Sequence, residues 1–79
     1  MWDKEEALRK FGEHVRKLRK RKGLSQDQVA ANSKSLTKAT ISDIENGKRN
    51  PEFTTIIDLA NGLDLPLAEL VGFEIEEDF

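Results

Sequence analysis

Apolar positions at helical intervals divide the chain into five segments. Leu8, Phe11, Val15 and Leu18 recur at spacings of three and four, with charged residues between them. That rhythm predicts an amphipathic helix from Asp3 or Lys4 to Lys22. Gly23 follows, a residue suited to the left-handed position just past a helix end. Ser25-Gln26-Asp27-Gln28 has the form of a capping box, in which Ser25 caps and Gln28 reaches back. It opens a second helix running through Val29 to about Asn32. Asn32-Ser33-Lys34-Ser35 is polar and turn-prone. Thr37 then suits the cap of a third helix, Lys38 to Asn46, with Ile41 and Ile44 inward and Gly47 ending it.

Lys48-Arg49-Asn50-Pro51 is a basic loop closed by proline. A fourth helix is predicted from Phe53 to Gly62, burying Phe53, Ile56, Leu59 and Ala60, with Ile57 and Leu63 at the margins of that stripe. Asp64 is a tolerable turn residue. Pro66 suits the first turn of a short fifth helix through Leu67 and Leu70 to Val71. Residues 72–79 alternate apolar and acidic side chains, which predicts a short strand or a frayed end. The pattern describes one all-α domain over residues 1–79, without internal repeats.

Charge changes the picture. The net charge of −2 argues at first against a polyanionic ligand. Its distribution reverses that argument. All 13 Lys and Arg lie in residues 1–49, and residues 1–50 carry a net +6. Residues 51–79 hold eight acids and no Lys or Arg. Polyanions are bound by local patches rather than by totals, so the basic half can face phosphate while the acidic half faces away. Part of the basic run, Arg16 to Lys22, also complements the dipole of the first helix.

The remaining composition mostly excludes. Without cysteine there is no disulfide and no thiolate chemistry, which fits a reducing compartment. No apolar run reaches membrane-spanning length, and the charged stretch Met1 to Glu6 is not a secretory signal. A cytoplasmic protein without a membrane partner is expected. His14 is the single histidine and has no metal-site spacing around it, so it is expected on the surface of the first helix. No serine has a histidine at a catalytic spacing, and the glycines form no phosphate loop. Pairs such as Glu5/Glu6 and Glu76/Glu77 are ordinary surface features. Neither an enzyme nor a cofactor is expected.

Gly23-Leu24-Ser25-Gln26-Asp27-Gln28-Val29-Ala30, followed by Thr40-Ile41-Ser42-Asp43-Ile44-Glu45-Asn46-Gly47-Lys48-Arg49-Asn50-Pro51, resembles the phage-repressor/Cro-like (XRE-type) helix-turn-helix DNA-binding family. Phe11, Val15, Leu18 and Arg19 fit that family's first helix. Ile56 to Ala60 and Leu63 to Leu70 fit its fourth and fifth. The resemblance covers about residues 11–71, with the helix-turn-helix at about 25–46. It implies a compact five-helix, lambda-repressor-like domain. Three departures stand out. One extra residue lies between Val29 and Ile41, within Asn32 to Leu36. The family's turn glycine is absent, with Ser35 near its place. Glu52, a weaker cap, replaces a frequent serine.

The resemblance also implies roles. Lys38, Ala39, Ser42 and Asp43 match the base-reading positions on the third helix, which enters the major groove. Lys38 can donate to guanine, Ala39 can touch a thymine methyl and Asp43 can accept from cytosine. Gln26, Thr37, Thr40, Asn46, Lys48, Arg49 and the main-chain N–H of Phe53 match phosphate-positioning sites, although Thr37 is equally suited to capping. Arg19 and Glu45 match a structural ion pair between the first and third helices.

The expected partner is double-stranded DNA, bound by a homodimer on a roughly palindromic operator, as a repressor or activator of transcription. Leu67, Phe73, Ile75 and Phe79 are candidates for the dimer contact, with Trp2 a further cover or interface residue. Leu65 and Leu70 suit packing within the subunit. The rival reading is an antitoxin or adaptor whose main partner is a protein held by the acidic, apolar tail.

Overall fold

The computed structural model describes residues 3–74, and every regular element among them is a helix. In chain order these are α1 (Lys4–Arg21), α2 (Gln26–Asn32), α3 (Lys38–Glu45), α4 (Phe53–Leu63) and α5 (Leu67–Leu70). Helix α1 packs on α3 and α5, α2 on α3 and α4, and α4 on α5. Local chemistry sets the boundaries. Ser25 Oγ accepts the Gln28 N–H at 3.1 Å, and Gln28 Oε1 accepts the Ser25 N–H at 2.7 Å, completing the capping box. Thr37 Oγ1 accepts the Thr40 N–H at 3.1 Å and so caps α3. Glu52 makes no side-chain cap bond at α4.

The core collects one face of every helix: Phe11, Val15 and Leu18 from α1, Val29 from α2, and Ile41 and Ile44 from α3. Leu59, Ala60 and Leu63 from α4 and Leu70 from α5 complete it. Burial of this apolar surface is the main driving force for assembling helices that are individually short.

Two glycines set how closely the helices approach. A Cβ on Gly12 of α1 would lie 2.4 Å from the Ile44 carbonyl oxygen and 2.6 Å from that of Glu45. A Cβ on Gly62 of α4 would lie 2.7 Å from the Val29 carbonyl oxygen. Only a residue without a side chain lets the backbones come this near. Gly62 therefore serves packing, and it does not end α4 as the sequence suggested. The helix continues to Leu63 and stops at Asp64, which adopts the left-handed conformation at φ 54°. Aspartate tolerates that region better than most residues do.

Phe53 departs from the expected core. It is 66% exposed. Side chains four apart share a ridge on a helix, and Phe53 shares its ridge with Ile57 and Asn61, all exposed. The buried arc runs instead through Ile56, Leu59, Ala60 and Leu63. His14 also differs from expectation. It is half-buried, its Nε2–H donates to the Glu69 carbonyl at 2.8 Å, and its ring lies 5.7 Å from that of Phe73. The only histidine thus helps dock the segment around α5 onto α1.

Residues 72–74 form neither helix nor strand. Trp2, Ile75 and Phe79 lie outside the described residues.

Candidate nucleic-acid interface

Helix α3 turns Ile41, Ile44 and Glu45 inward, which leaves Lys38, Ala39, Ser42 and Asp43 on its outer arc. Lys38 and Ala39 are exposed; Ser42 and Asp43 are half-buried. The four side chains therefore share one face of a single helix, as their spacing dictates. Lys48 and Arg49 are exposed in the loop that follows. Arg49 Nη2 lies 3.8 Å from Asp43 Oδ2, and Lys38 Nζ lies 3.8 Å from Asp27 Oδ2 on α2.

Beneath that face, the carboxylate of Glu45 is fully buried. Arg19 Nε donates to its Oε2 at 2.6 Å and Arg19 Nη2 to its Oε1 at 3.0 Å, a two-pronged contact. Arg16 Nε and Gln26 Nε2 each donate to Oε1 at 3.2 Å. Burial would raise the Glu45 carboxyl, but hydrogen bonds from Arg19, Gln26 and Arg16, with the Arg19 charge, hold it below the usual carboxylate range. One acid thereby ties α1, α2 and α3 together. Arg19 also donates to the Leu24 carbonyl at 2.9 Å, anchoring the start of the α2 segment.

Arg16 carries more than dipole compensation. Its Nη2 donates to Asn46 Oδ1 at 2.9 Å, while Asn46 Nδ2 donates to the Ser42 carbonyl at 2.9 Å. Asn46 is thus engaged in fixing the end of α3. Arg16 lies three residues before Arg19, on the same face of α1, and that spacing is the signal by which it could have been found. Gln26 is likewise drawn to Glu45 through its amide. Thr40 Oγ1 lies 3.0 Å from Thr37 Oγ1, so the two hydroxyls meet at the start of α3.

The turn between α2 and α3 has its own anchor. Asp58 of α4 is buried and accepts from the Lys34 N–H at 2.8 Å, the Ser35 N–H at 3.0 Å and the Ser35 hydroxyl at 3.1 Å. The backbone bond from Lys34, with the Ser35 bonds, outweighs desolvation and holds this carboxyl below its ordinary value. Ser33 Oγ adds a bond from the Leu36 N–H at 3.1 Å and donates to the Ala30 carbonyl at 2.7 Å. Sequence reading missed Asp58. Its signal was its place as the single charged residue within α4.

Of the dimer candidates within the described residues, Leu67 is half-buried against the core and Phe73 packs on Phe11 with ring centroids 5.7 Å apart. Among the described residues, the large apolar side chains that are exposed are Phe53, Ile57 and Val71. Among the described residues, no helix is long and apolar enough to cross a membrane, and no group of three acidic, histidine or cysteine side chains stands ready to hold a metal ion.

A fold of this kind, with a short capped helix, a turn and an outward-facing second helix, is that of the helix-turn-helix proteins. The family's sequence pattern matches residues 15–70, and the chain belongs to the helix-turn-helix family of XRE type. Control protein C.MunI of a Mycoplasma species is 40% identical over 70 residues, 87% of this chain and 92% of that protein. The restriction-modification controller protein C.AhdI of Aeromonas hydrophila superposes with a TM-score of 0.74 at 41% identity, over 80% of this chain and 94% of its own. The restriction-modification controller protein C.Esp1396I, solved as a tetramer in complex with its natural 35-base-pair operator, superposes with a TM-score of 0.71 at 26% identity. That match covers 82% of this chain and 93% of the controller.

Proposed function

We propose that this chain is a sequence-specific DNA-binding regulator of transcription that acts in the cytoplasm as a homodimer on a roughly palindromic operator. The observation that carries the reading is the outer arc of α3. It sets Lys38, Ala39, Ser42 and Asp43 on one face, above a buried ion-pair network that fixes the helix rigidly. Rigid support is what a base-reading helix requires, because discrimination depends on bidentate geometry at base edges. Likeness to a controller solved on its operator adds to the case.

In this reading Lys38 donates to guanine, Ala39 meets a thymine methyl, Ser42 bonds a base edge and Asp43 accepts from cytosine. Gln26, Thr37, Thr40, Asn46, Lys48, Arg49 and the Phe53 N–H position the phosphates. The network leaves Gln26 and Asn46 pre-oriented by Glu45 and Arg16. Two copies of α3 about one DNA turn apart, on the order of 34 Å, then read two half-sites. Exposed Phe53, Ile57 and Val71 offer apolar surface for the second copy. The function is binding, not catalysis.

Selection from random duplex DNA with the full chain, followed by a salt titration, tests this. A two-fold symmetric consensus and a steep loss of affinity with salt are expected. Lys38→Ala should relax one base position by about 1–3 kcal/mol, and Arg49→Ala should weaken all sites alike and flatten the salt slope by about one unit. Failure to recover a consensus, or affinity indifferent to salt, overturns the proposal.

A further inference from the structure

Two carboxylates stand among the candidate DNA contacts, and each faces a cation on the neighbouring element. Asp27, 73% exposed in the first turn of α2, lies 3.8 Å from Lys38 Nζ on α3. Asp43 on α3 lies 3.8 Å from Arg49 in the following loop. Exposed pairs of this kind add little to folding stability. Their placement matters more. Both cations are ones the DNA-reading proposal needs.

A duplex offers phosphates at every step whatever its sequence, so a free surface cation attracts all DNA equally. A carboxylate within 4 Å offsets much of that attraction. Lys38 must leave Asp27 to reach a base edge, and the separation is compensated only where guanine acceptors take the ammonium instead. On any other sequence the pair stays closed, and Lys38 has little charge left over to attract phosphate. Discrimination of this kind comes from an element that opposes the wrong partner, not from a stronger grip on the right one.

We propose, on the basis of the DNA-reading function above, that Asp27 is a specificity-determining residue whose pairing with Lys38 suppresses binding to non-cognate DNA. It acts through charge and needs no base contact of its own. A purely structural role is available to it as well, since an acid in the first turn suits the helix dipole. The test therefore reads both binding and stability.

Asp27→Asn keeps the size and polarity of the side chain and removes its charge. Wild type and variant are titrated with the consensus duplex recovered by wild-type selection and with a shuffled duplex of equal length, at several salt concentrations. Affinity of the variant for the shuffled duplex should rise about 3- to 10-fold more than its affinity for the consensus. The salt slope on the shuffled duplex should steepen by up to about 0.9. Glu69→Gln on α5, which removes an equal charge away from the reading face, should change neither affinity by more than about 2-fold. Equal gains on both duplexes, no gain on either, or a loss of stability that accounts for the change overturns the role of Asp27. A wild type that recovers no consensus overturns the DNA-reading proposal, and this one with it.

Discussion

Two buried carboxylates hold the helix-turn-helix, one at the end of its second helix and one at its turn, and they are satisfied by different partners. Glu45, at the end of α3, is met by the guanidinium groups of Arg19 and Arg16 and by the Gln26 amide. Asp58, on α4, is met by two backbone N–H groups and a hydroxyl from the turn before α3. The first joint is ionic and welds three helices. The second is a matter of peptide dipoles and shapes a loop. Both acids are held below their ordinary titration range, although burial opposes it in each case. The contrast teaches that a carboxylate is accommodated inside a small domain either by opposite charge or by oriented amides, and that the two solutions fail differently.

Removing Glu45 should do the most damage. Glu45→Ala strands Arg19, whose side chain is only 12% exposed. It should cost about 3–5 kcal/mol in urea unfolding, and equal stability of wild type and variant would refute the account of this joint. Asp58→Ala should cost less, about 2–3 kcal/mol, because it leaves polar N–H groups and not a charge without a partner. Its damage should be local: amide exchange at Lys34 and Ser35 should accelerate more than exchange in α1. Uniform acceleration across the chain would show that Asp58 does not act on the turn in particular.

Acid should separate the joints further. The folded state holds both carboxyls below their unfolded values, so it binds fewer protons than the unfolded chain as pH falls. Their contribution is complete above the ordinary carboxylate range, roughly pH 5, and is lost as pH drops through the lowered folded values. Asp58→Asn should therefore flatten the acid limb of a stability-versus-pH curve; an unchanged limb would count against the lowered Asp58 carboxyl. The smallest effect expected is at Ser25, which shares neither joint. Ser25→Ala should cost about 1 kcal/mol through loss of the α2 cap, measured by the same urea titration.

The two joints were not equally readable. Arg19 and Glu45 carry opposite charges at positions that a family resemblance flags, so a pair could be named before any coordinates. Arg16 was hidden inside a basic run that helix-dipole compensation already explained. Asp58 had only its isolation in an apolar helix to draw attention, and nothing in its neighbourhood along the chain pointed to Lys34 and Ser35, more than twenty residues away. The outer arc of α3 was legible because side-chain direction repeats with the helical period. The exposure of Phe53 was not, since an apolar residue at the edge of a stripe faces the core or the solvent according to what lies beside it.

Local chemistry along the chain determined five helices, the caps at Ser25 and Thr37, and the polarity of a basic first half and an acidic second half. Those features depend on near neighbours and on periodicity, and a sequence carries both. The tertiary structure alone decided that Gly12 and Gly62 are points of helix contact, that His14 docks on the Glu69 carbonyl, and that Asp58 braces the turn between α2 and α3. Each depends on which backbone arrives from a distant part of the chain, and that is settled only when the whole core packs.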